Sequence, residues 1–231
     1  MTKRTCVMLL VLALAMAPAA AQARMWVGVQ LGGNMASNTD IDINTGVAAT
    51  SGTVQHAGID TSVIAGVTIG YDFVREGFGG YDYPDWMKYF SVATDFTFNR
   101  FDFPNQWKGY TGFPGFANPV SEGTMACWSF LFMGKYGFFP DSEVPFGRLQ
   151  PYLAVGPGIM FSTQNPGVSS SSVDIALVTE FGIRYMALKN VSLDTVFRYR
   201  WCQPSYNFVG FNTAEFDAHQ FSFMIRASYH F

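Results

Sequence analysis

Charge is scarce in this sequence. Asp, Glu, Lys and Arg make up only 13% of its 231 residues, about half the usual share. That excludes a disordered chain, which is charge-rich and aromatic-poor. It also excludes a coiled coil, which needs abundant Glu, Lys and Leu. The formal charge is −3 and the basic residues form no cluster, so nucleic acid is not an expected partner. Three Cys and three His, widely scattered, offer no metal-ligand spacing, and no metal or cofactor is expected. After the N-terminus no stretch approaches 18 consecutive apolar residues, so no transmembrane helix is expected there. The glycines near 77–80 lack the strand-to-helix context of a nucleotide fingerprint.

What is abundant is aromatic and apolar. Phe (23), Tyr (11) and Gly (23) stand out, and 49% of the chain is hydrophobic; such a surface must be hidden, and lipid is one place to hide it. The first residues read as a secretory signal. Lys3 and Arg4 precede an apolar run from Val7 to Ala17, then Pro18 and the A-x-A site Ala21-Gln22-Ala23. The run is short for ~30 Å of hydrocarbon, and Cys6 precedes it, where a lipidated Cys would follow. The expectation is a signal peptide over 1–23, cleaved near Ala23, and a barrel domain over 24–231.

Along that domain no long helical period appears. A period of two recurs in eight segments, about 25–35, 61–73, 89–101, 124–138, 149–162, 174–187, 191–203 and 219–231. Each has one apolar face. The segment at 219–231, for example, sets Phe221, Phe223, Ile225, Ala227, Tyr229 and Phe231 against Gln220, Ser222, Arg226, Ser228 and His230. Eight strands of this length match an all-β fold, an eight-stranded antiparallel up-and-down transmembrane β-barrel. A strand needs ~9–11 residues to cross a bilayer, and closure removes the edges lipid would not tolerate.

A lipocalin-like barrel has the same period with its apolar face inward. Three features favour the inverse. Aromatics crowd the apolar face toward strand ends (Tyr71, Phe73, Tyr199, Trp201, Tyr229, Phe231), as interfacial girdles do. The other face mixes Gly, Ser and Ala with charges. The chain closes on an alternating strand ending in Phe231. The connections alternate in length: long at 36–60, 102–123, 164–173 and 204–218, shorter at 74–88, 139–148 and 188–190, as outer loops and periplasmic turns do. The segment 74–88 is long for a turn and reads as a tolerated insertion. Loop 39–58 is polar and reads as mobile.

From residue 150 onward the sequence resembles small bacterial outer-membrane barrels of the OmpA-like/OmpX-like class. The resemblance is carried by Gln150-Pro151-Tyr152-Leu153-Ala154-Val155-Gly156-Pro157-Gly158 and Phe181-Gly182-Ile183-Arg184-Tyr185. It continues in Asn190-Val191-Ser192-Leu193, Phe197-Arg198-Tyr199-Arg200 and the closing Ser228-Tyr229-His230-Phe231. It implies an outer-membrane location, and outer-membrane lipid, lipopolysaccharide and the barrel-assembly machinery as partners. Tyr229 and Phe231 would serve as the assembly signal. No peptidoglycan-binding module is expected. Members differ in function, so the fold alone does not settle a role.

Candidate sites then follow from the inward face. If 188–190 is a three-residue hairpin loop, residue 187 pairs with 191, which sets Glu180 opposite Arg198 and Arg184 opposite Asp194. Charges in a narrow bore must be paired or wet, so Asp95, Lys135, Arg200 and Arg226 are assigned to the same network. It reads as a plug of ion pairs in preference to a gated pore, because eight strands leave room only for side chains. The loop aromatics Trp107, Tyr110, Phe113, Phe116, Tyr206, Phe208 and Phe211 suggest a surface partner or a packed cap. Cys127 and Cys202 face the lumen from strands on opposite sides of the bore, beyond the ~7 Å a disulfide spans. An enzyme is not expected. His219 and Ser222 face opposite sides of one strand, and His230 with Ser228 lacks an acid. The expected role is structural or surface-interacting, through outer loops of a monomeric barrel facing a host or surface ligand. The alternatives are a narrow channel for small or hydrophobic solutes and a lipid A-modifying enzyme.

Overall fold

The computed structural model describes residues 24–47, 50–74, 82–111, 115–165, 169–208 and 212–231. In chain order the strands are β1 (Arg24–Ala36), β2 (Thr39–Asn44), β3 (Gly52–Ala57), β4 (Ser62–Asp72), β5 (Phe90–Arg100), β6 (Lys108–Tyr110) and β7 (Gly115–Ala117). They continue as β8 (Glu122–Lys135), β9 (Leu149–Asn165), β10 (Ser170–Leu188), β11 (Val191–Cys202), β12 (Ser205–Phe208), β13 (Asn212–Phe216) and β14 (Ala218–His230).

The eight longest close into an antiparallel barrel in the order β1-β14-β11-β10-β9-β8-β5-β4. They match the eight segments of alternating sequence. The first and last strands close the ring, with Val29 opposite both Ala227 and Val67. Alternation sorts the side chains as the pleat demands. On β1 and β4, Val29, Leu31, Val63 and Val67 are exposed, while Gln30, Asn34, Thr68 and Asp72 are buried. An apolar outside around a polar bore is the reverse of a water-soluble barrel and suits hydrocarbon as the outer solvent.

The end of the barrel at which β1 starts carries the short connections. Between β10 and β11 the register of Glu180 with Arg198 and Arg184 with Asp194 is as the spacing requires. The turn itself differs: Leu188, not Ala187, faces Val191, and the ladder shifts between Met186 and Leu188. The strand thus absorbs an extra residue as a bulge, leaving a tighter turn. In the 139–148 connection, Asp141 accepts from the backbone N–H groups of Val144 (2.7 Å) and Glu143 (2.9 Å) and pairs with Arg148. The Val144 N–H and then the Arg148 guanidinium hold the Asp141 carboxyl below the usual carboxylate range. Phe146 from this turn lies under the bore, its ring 5.3 Å from Lys135 Nζ. Of the long 74–88 connection, the described end is a 3₁₀ turn at Asp85–Tyr89. It feeds the girdle: Trp86 meets Phe90 edge-on and Tyr89 stacks on Tyr136 at 5.7 Å.

The opposite end departs from expectation. Loop 39–58 is not a loose polar loop. It forms the β2–β3 hairpin at the centre of a second sheet, ordered β12-β13-β2-β3-β6-β7. Three separate long connections thus pair with one another. The pairing rests on burial as well as ladders, because Ile41, Val54 and Ala57 turn inward from an otherwise polar segment, the odd spacing of Val54 and Ala57 being taken up where the β2–β3 register shifts. They join Phe101, Phe103, Tyr206 and Phe216 in one apolar cluster, continuous with Met125, Cys127, Met160 and Cys202 of the barrel. Phe216 stacks on Phe101 at 5.8 Å and meets Phe103 edge-on at 5.4 Å. The second sheet is a roof over an apolar mouth. β12 is also tied to the barrel rim, where Ser170 Oγ donates to the Asn207 carbonyl and the Ser205 N–H donates to Ser172 Oγ.

Candidate functional site

Two features define the site: the filled bore and the roof. Bore-facing residues come from alternate positions of all eight barrel strands, so every polar group there is fixed by the ladder. The network is layered. Nearest the short turns, Asp72 of β4 takes Lys135 Nζ at 2.7 Å, Ser91 Oγ at 2.7 Å and Trp26 Nε1 at 3.2 Å. Arg184 pairs with Asp194 at 3.2 Å and lies 4.5 Å above the Trp26 ring, a cation–π contact. Gly70 makes room for that ring; a Cβ there would stand 2.2 Å from it.

The middle layer is the densest. Glu180 accepts from Arg198 (2.5 Å), Arg226 (2.9 Å) and the Tyr152 hydroxyl (2.9 Å). Arg198 also pairs with Asp95 at 2.5 Å. Asp95 in turn takes Gln30 Nε2 at 2.8 Å and the Ser129 hydroxyl. Arg226 donates to Gln30 Oε1 at 2.8 Å. Tyr152 reaches Glu180 past Gly182, where a Cβ would stand 2.4 Å from the hydroxyl. Above this, Arg200 donates to the amide oxygens of Asn99 (2.7 Å), Gln220 (2.5 Å) and Asn34 (3.2 Å).

All eight charges assigned to the network from the sequence lie buried in the bore. Seven of them join ion pairs with one another or with Asp72. Arg200 contacts neutral groups instead. The sequence reading missed Asp72, Trp26, Tyr152 and Gln30. Asp72 stood in the inward phase of its segment, and that phase was the available signal. Tyr152 also stands in the inward phase of its segment but carries no charge to mark it, and Trp26 shares the phase of Gly28 and Gln30 as an aromatic among small and polar residues.

The loop aromatics divide. Tyr206 is buried in the roof's underside with Phe208 against it. Tyr110 is half-buried and its hydroxyl donates to the Thr50 carbonyl. Trp107 and Phe116 are 69% and 74% exposed. Phe116 lies in the β6–β7 hairpin, opposite Gly109, and Trp107 immediately precedes β6. Phe113 and Phe211 lie outside the described residues, as do the residues of the expected signal peptide and the glycines near 77–80. Tyr229 and Phe231 meet edge-on at 5.1 Å at the end of the last strand. Cys127 and Cys202 are free and buried. His219 faces outward to the Tyr199 hydroxyl, while Ser222 faces inward to Asn34. His230 meets Ser192 Oγ in the bore. Among the described residues no three His, Cys, Asp or Glu side chains gather at metal-binding distance.

Comparison with known proteins gives the same architecture. A family model described as outer membrane protein beta-barrel domain matches residues 6–231. Neisserial surface protein A superposes with a TM-score of 0.54 at 13% identity, covering 90% of this chain and 97% of that one. The outer membrane protein OprG from Pseudomonas aeruginosa gives 0.53 at 16% identity, covering 90% and 96%. AlkL, solved in DMPC lipid bilayers, gives 0.50 at 18% identity, covering 90% of each chain. At these identities the likeness is one of fold. No curated protein matches the sequence.

Proposed function

Because the chain belongs to the outer membrane β-barrel family, we propose that it works as a closed, structural and surface-interacting barrel, its exposed roof meeting ligands outside the cell. One observation carries this reading: the bore is filled by mutually paired charges and roofed by a sheet built from three outer connections. Eight strands enclose only enough space for side chains, and here those side chains bind one another. A conducting path would have to break several buried ion pairs, each costly to open. The work of the protein then falls to its outer surfaces. The barrel wall meets lipid. The roof, with Trp107 and Phe116 exposed at the β6–β7 hairpin, meets lipopolysaccharide or a host surface. The reading includes export through a signal peptide over 1–23, insertion by the assembly machinery through the Tyr229/Phe231 end, and action as a monomer without catalysis.

The test is reconstitution into planar bilayers together with a surface-binding assay. The wild type should show no single-channel steps, and vesicles carrying it should retain lipopolysaccharide. Replacing both Trp107 and Phe116 by Ala should cut that retention while the protein keeps its heat-dependent shift on SDS gels. Steady unitary conductance from the wild type would sink the closed-barrel reading.

A further inference from the structure

Charge pairing in the bore leaves one cation over. Among the described residues, five cationic side chains are buried inside the barrel: Lys135, Arg184, Arg198, Arg200 and Arg226. Four carboxylates are buried with them: Asp72, Asp95, Glu180 and Asp194. Every one of these carboxylates pairs with Lys135, Arg184, Arg198 or Arg226. Arg200 forms no ion pair among the described residues. Asp174 also faces inward, but it is only half-buried and stands four positions beyond Val178, the cross-strand neighbour of Arg200; that is ~13 Å along the strand.

The surroundings of Arg200 are neutral and oxygen-rich. Its Nη2 donates to Asn99, Gln220 and Asn34, and its Nη1 to Thr97 Oγ1 at 3.3 Å. Its Nε has no partner. Amide and hydroxyl oxygens satisfy the N–H groups they face but do not cancel the charge. A guanidinium does not escape by losing its proton. Arg200 is wholly buried, so water does not screen it as it would a surface cation. The next layer toward the roof is apolar, with Cys202 opposite Ala218 and Met125, Cys127 and Met160 around them. A cation with an unused donor thus forms the floor of an apolar mouth. Methionine side chains there adapt readily to what packs on them.

We propose that Arg200 is a binding site for a small monoanion, a halide or a carboxylate, seated at its Nε edge beneath the roof. The chemistry is one guanidinium charge plus one free N–H donor. A halide would come from the medium. A carboxylate would come from an amphiphile. The site neutralises the bore without opening it.

The test uses the full-length protein folded in detergent, held in sodium sulfate, whose anion is neither a halide nor a carboxylate, and titrated at constant sodium with sodium bromide or sodium octanoate. The readout is the temperature at which the folded band is lost on unheated SDS gels. A ligand bound only by the folded state raises that temperature in proportion to the logarithm of its concentration. The wild type should gain several degrees with bromide, the rise setting in near the dissociation constant and following the logarithm of concentration above it. Asn34→Asp should not respond, because Asn34 Oδ1 accepts from both Arg200 and Ser222 and an Asp there supplies an internal counter-ion through the same contacts. Arg200→Gln should be equally unresponsive; if that variant fails to fold, Asn34→Asp still decides the matter. Octanoate acting at a hundredfold lower concentration than bromide identifies the carboxylate source, and equal action identifies a simple ion. No shift in the wild type with either anion, or an equal shift in Asn34→Asp, overturns the proposal.

Discussion

Arg198 offers the sharpest test of how the bore is held. Its Nη2 lies 2.5 Å from both Asp95 and Glu180, and the side chain is wholly buried. Replacing it with Met removes the charge and keeps much of the stem. Glu180 would retain Arg226 at 2.9 Å and the Tyr152 hydroxyl. Asp95 would retain only Gln30 and Ser129, with no cation. Removing one member of a buried pair costs roughly 3–5 kcal/mol; the two neutral donors left on Asp95 set the expectation near 3. The double variant Asp95→Asn, Arg198→Met removes both charges, so its cost should fall below the sum of the singles by about 2 kcal/mol, as for residues of one ion network. The assay is urea unfolding of the protein folded into phosphatidylcholine vesicles, followed by tryptophan fluorescence, with conductance recorded in parallel. A lower urea midpoint for Arg198→Met, without conductance, is the expected outcome. An unchanged midpoint with new unitary conductance would mean that these pairs gate a pore and do not hold the barrel.

Other expectations follow from single contacts. Gly182→Ala brings a Cβ within 2.4 Å of the Tyr152 hydroxyl and 2.7 Å of the Thr195 carbonyl; overpacking of this kind costs about 1–3 kcal/mol, readable as a lower urea midpoint. Asp141 has a depressed folded pKa, so its contribution is present above the unfolded value, ~3.9, and is lost as pH falls through the folded one. The stability gap between wild type and Asp141→Asn should therefore be present at pH 6 and shrink as the pH is lowered through the acid range; a gap that does not change with pH contradicts the assignment. Cys127 and Cys202 lie buried beneath the roof. A thiol-reactive maleimide should label neither on intact cells, and Phe216→Ala, which removes the ring stacked on Phe101, should admit it. Rapid labelling of the wild type would show an open mouth.

The barrel was legible because its information is local. A period of two over a dozen residues fixes a strand and its faces, and the tight β10–β11 connection fixes a register, so Glu180/Arg198 and Arg184/Asp194 could be paired on paper. Asp72 was harder. Its partners Lys135 and Arg184 come from β8 and β10, strands that do not neighbour β4 in the ring. No cross-strand register links them; they meet only across a bore whose width the sequence does not state. Trp26 illustrates the same limit from the apolar side. Its neighbours Val27 and Val29 set the alternation, yet a lone inward Trp next to charge makes sense only once Gly70 and Arg184 are seen around it. The roof was the least legible part. Its strands run only three to six residues, too short for a period to stand out, and the β13–β2 and β3–β6 pairings join strands from different connections.

That shortness also says why the roof exists at all. An isolated two-stranded hairpin is at best marginal in water, and the β6–β7 hairpin has only three residues per strand. These hairpins persist because the barrel fixes both ends of each connection, so much of the loop-closure cost is met when the barrel closes. The apolar underside then adds a shared reward, since Phe101 and Phe103 leave β5 directly while Phe216 leads into β14. Bore and roof are therefore one construction. The ion pairs hold the ring at the width that brings three rim connections within pairing distance, and Trp107 and Phe116 stand exposed at the roof. Residues such as Trp107 and Phe116 on exposed positions are free to answer to a ligand, because the positions that hold the fold lie beneath them.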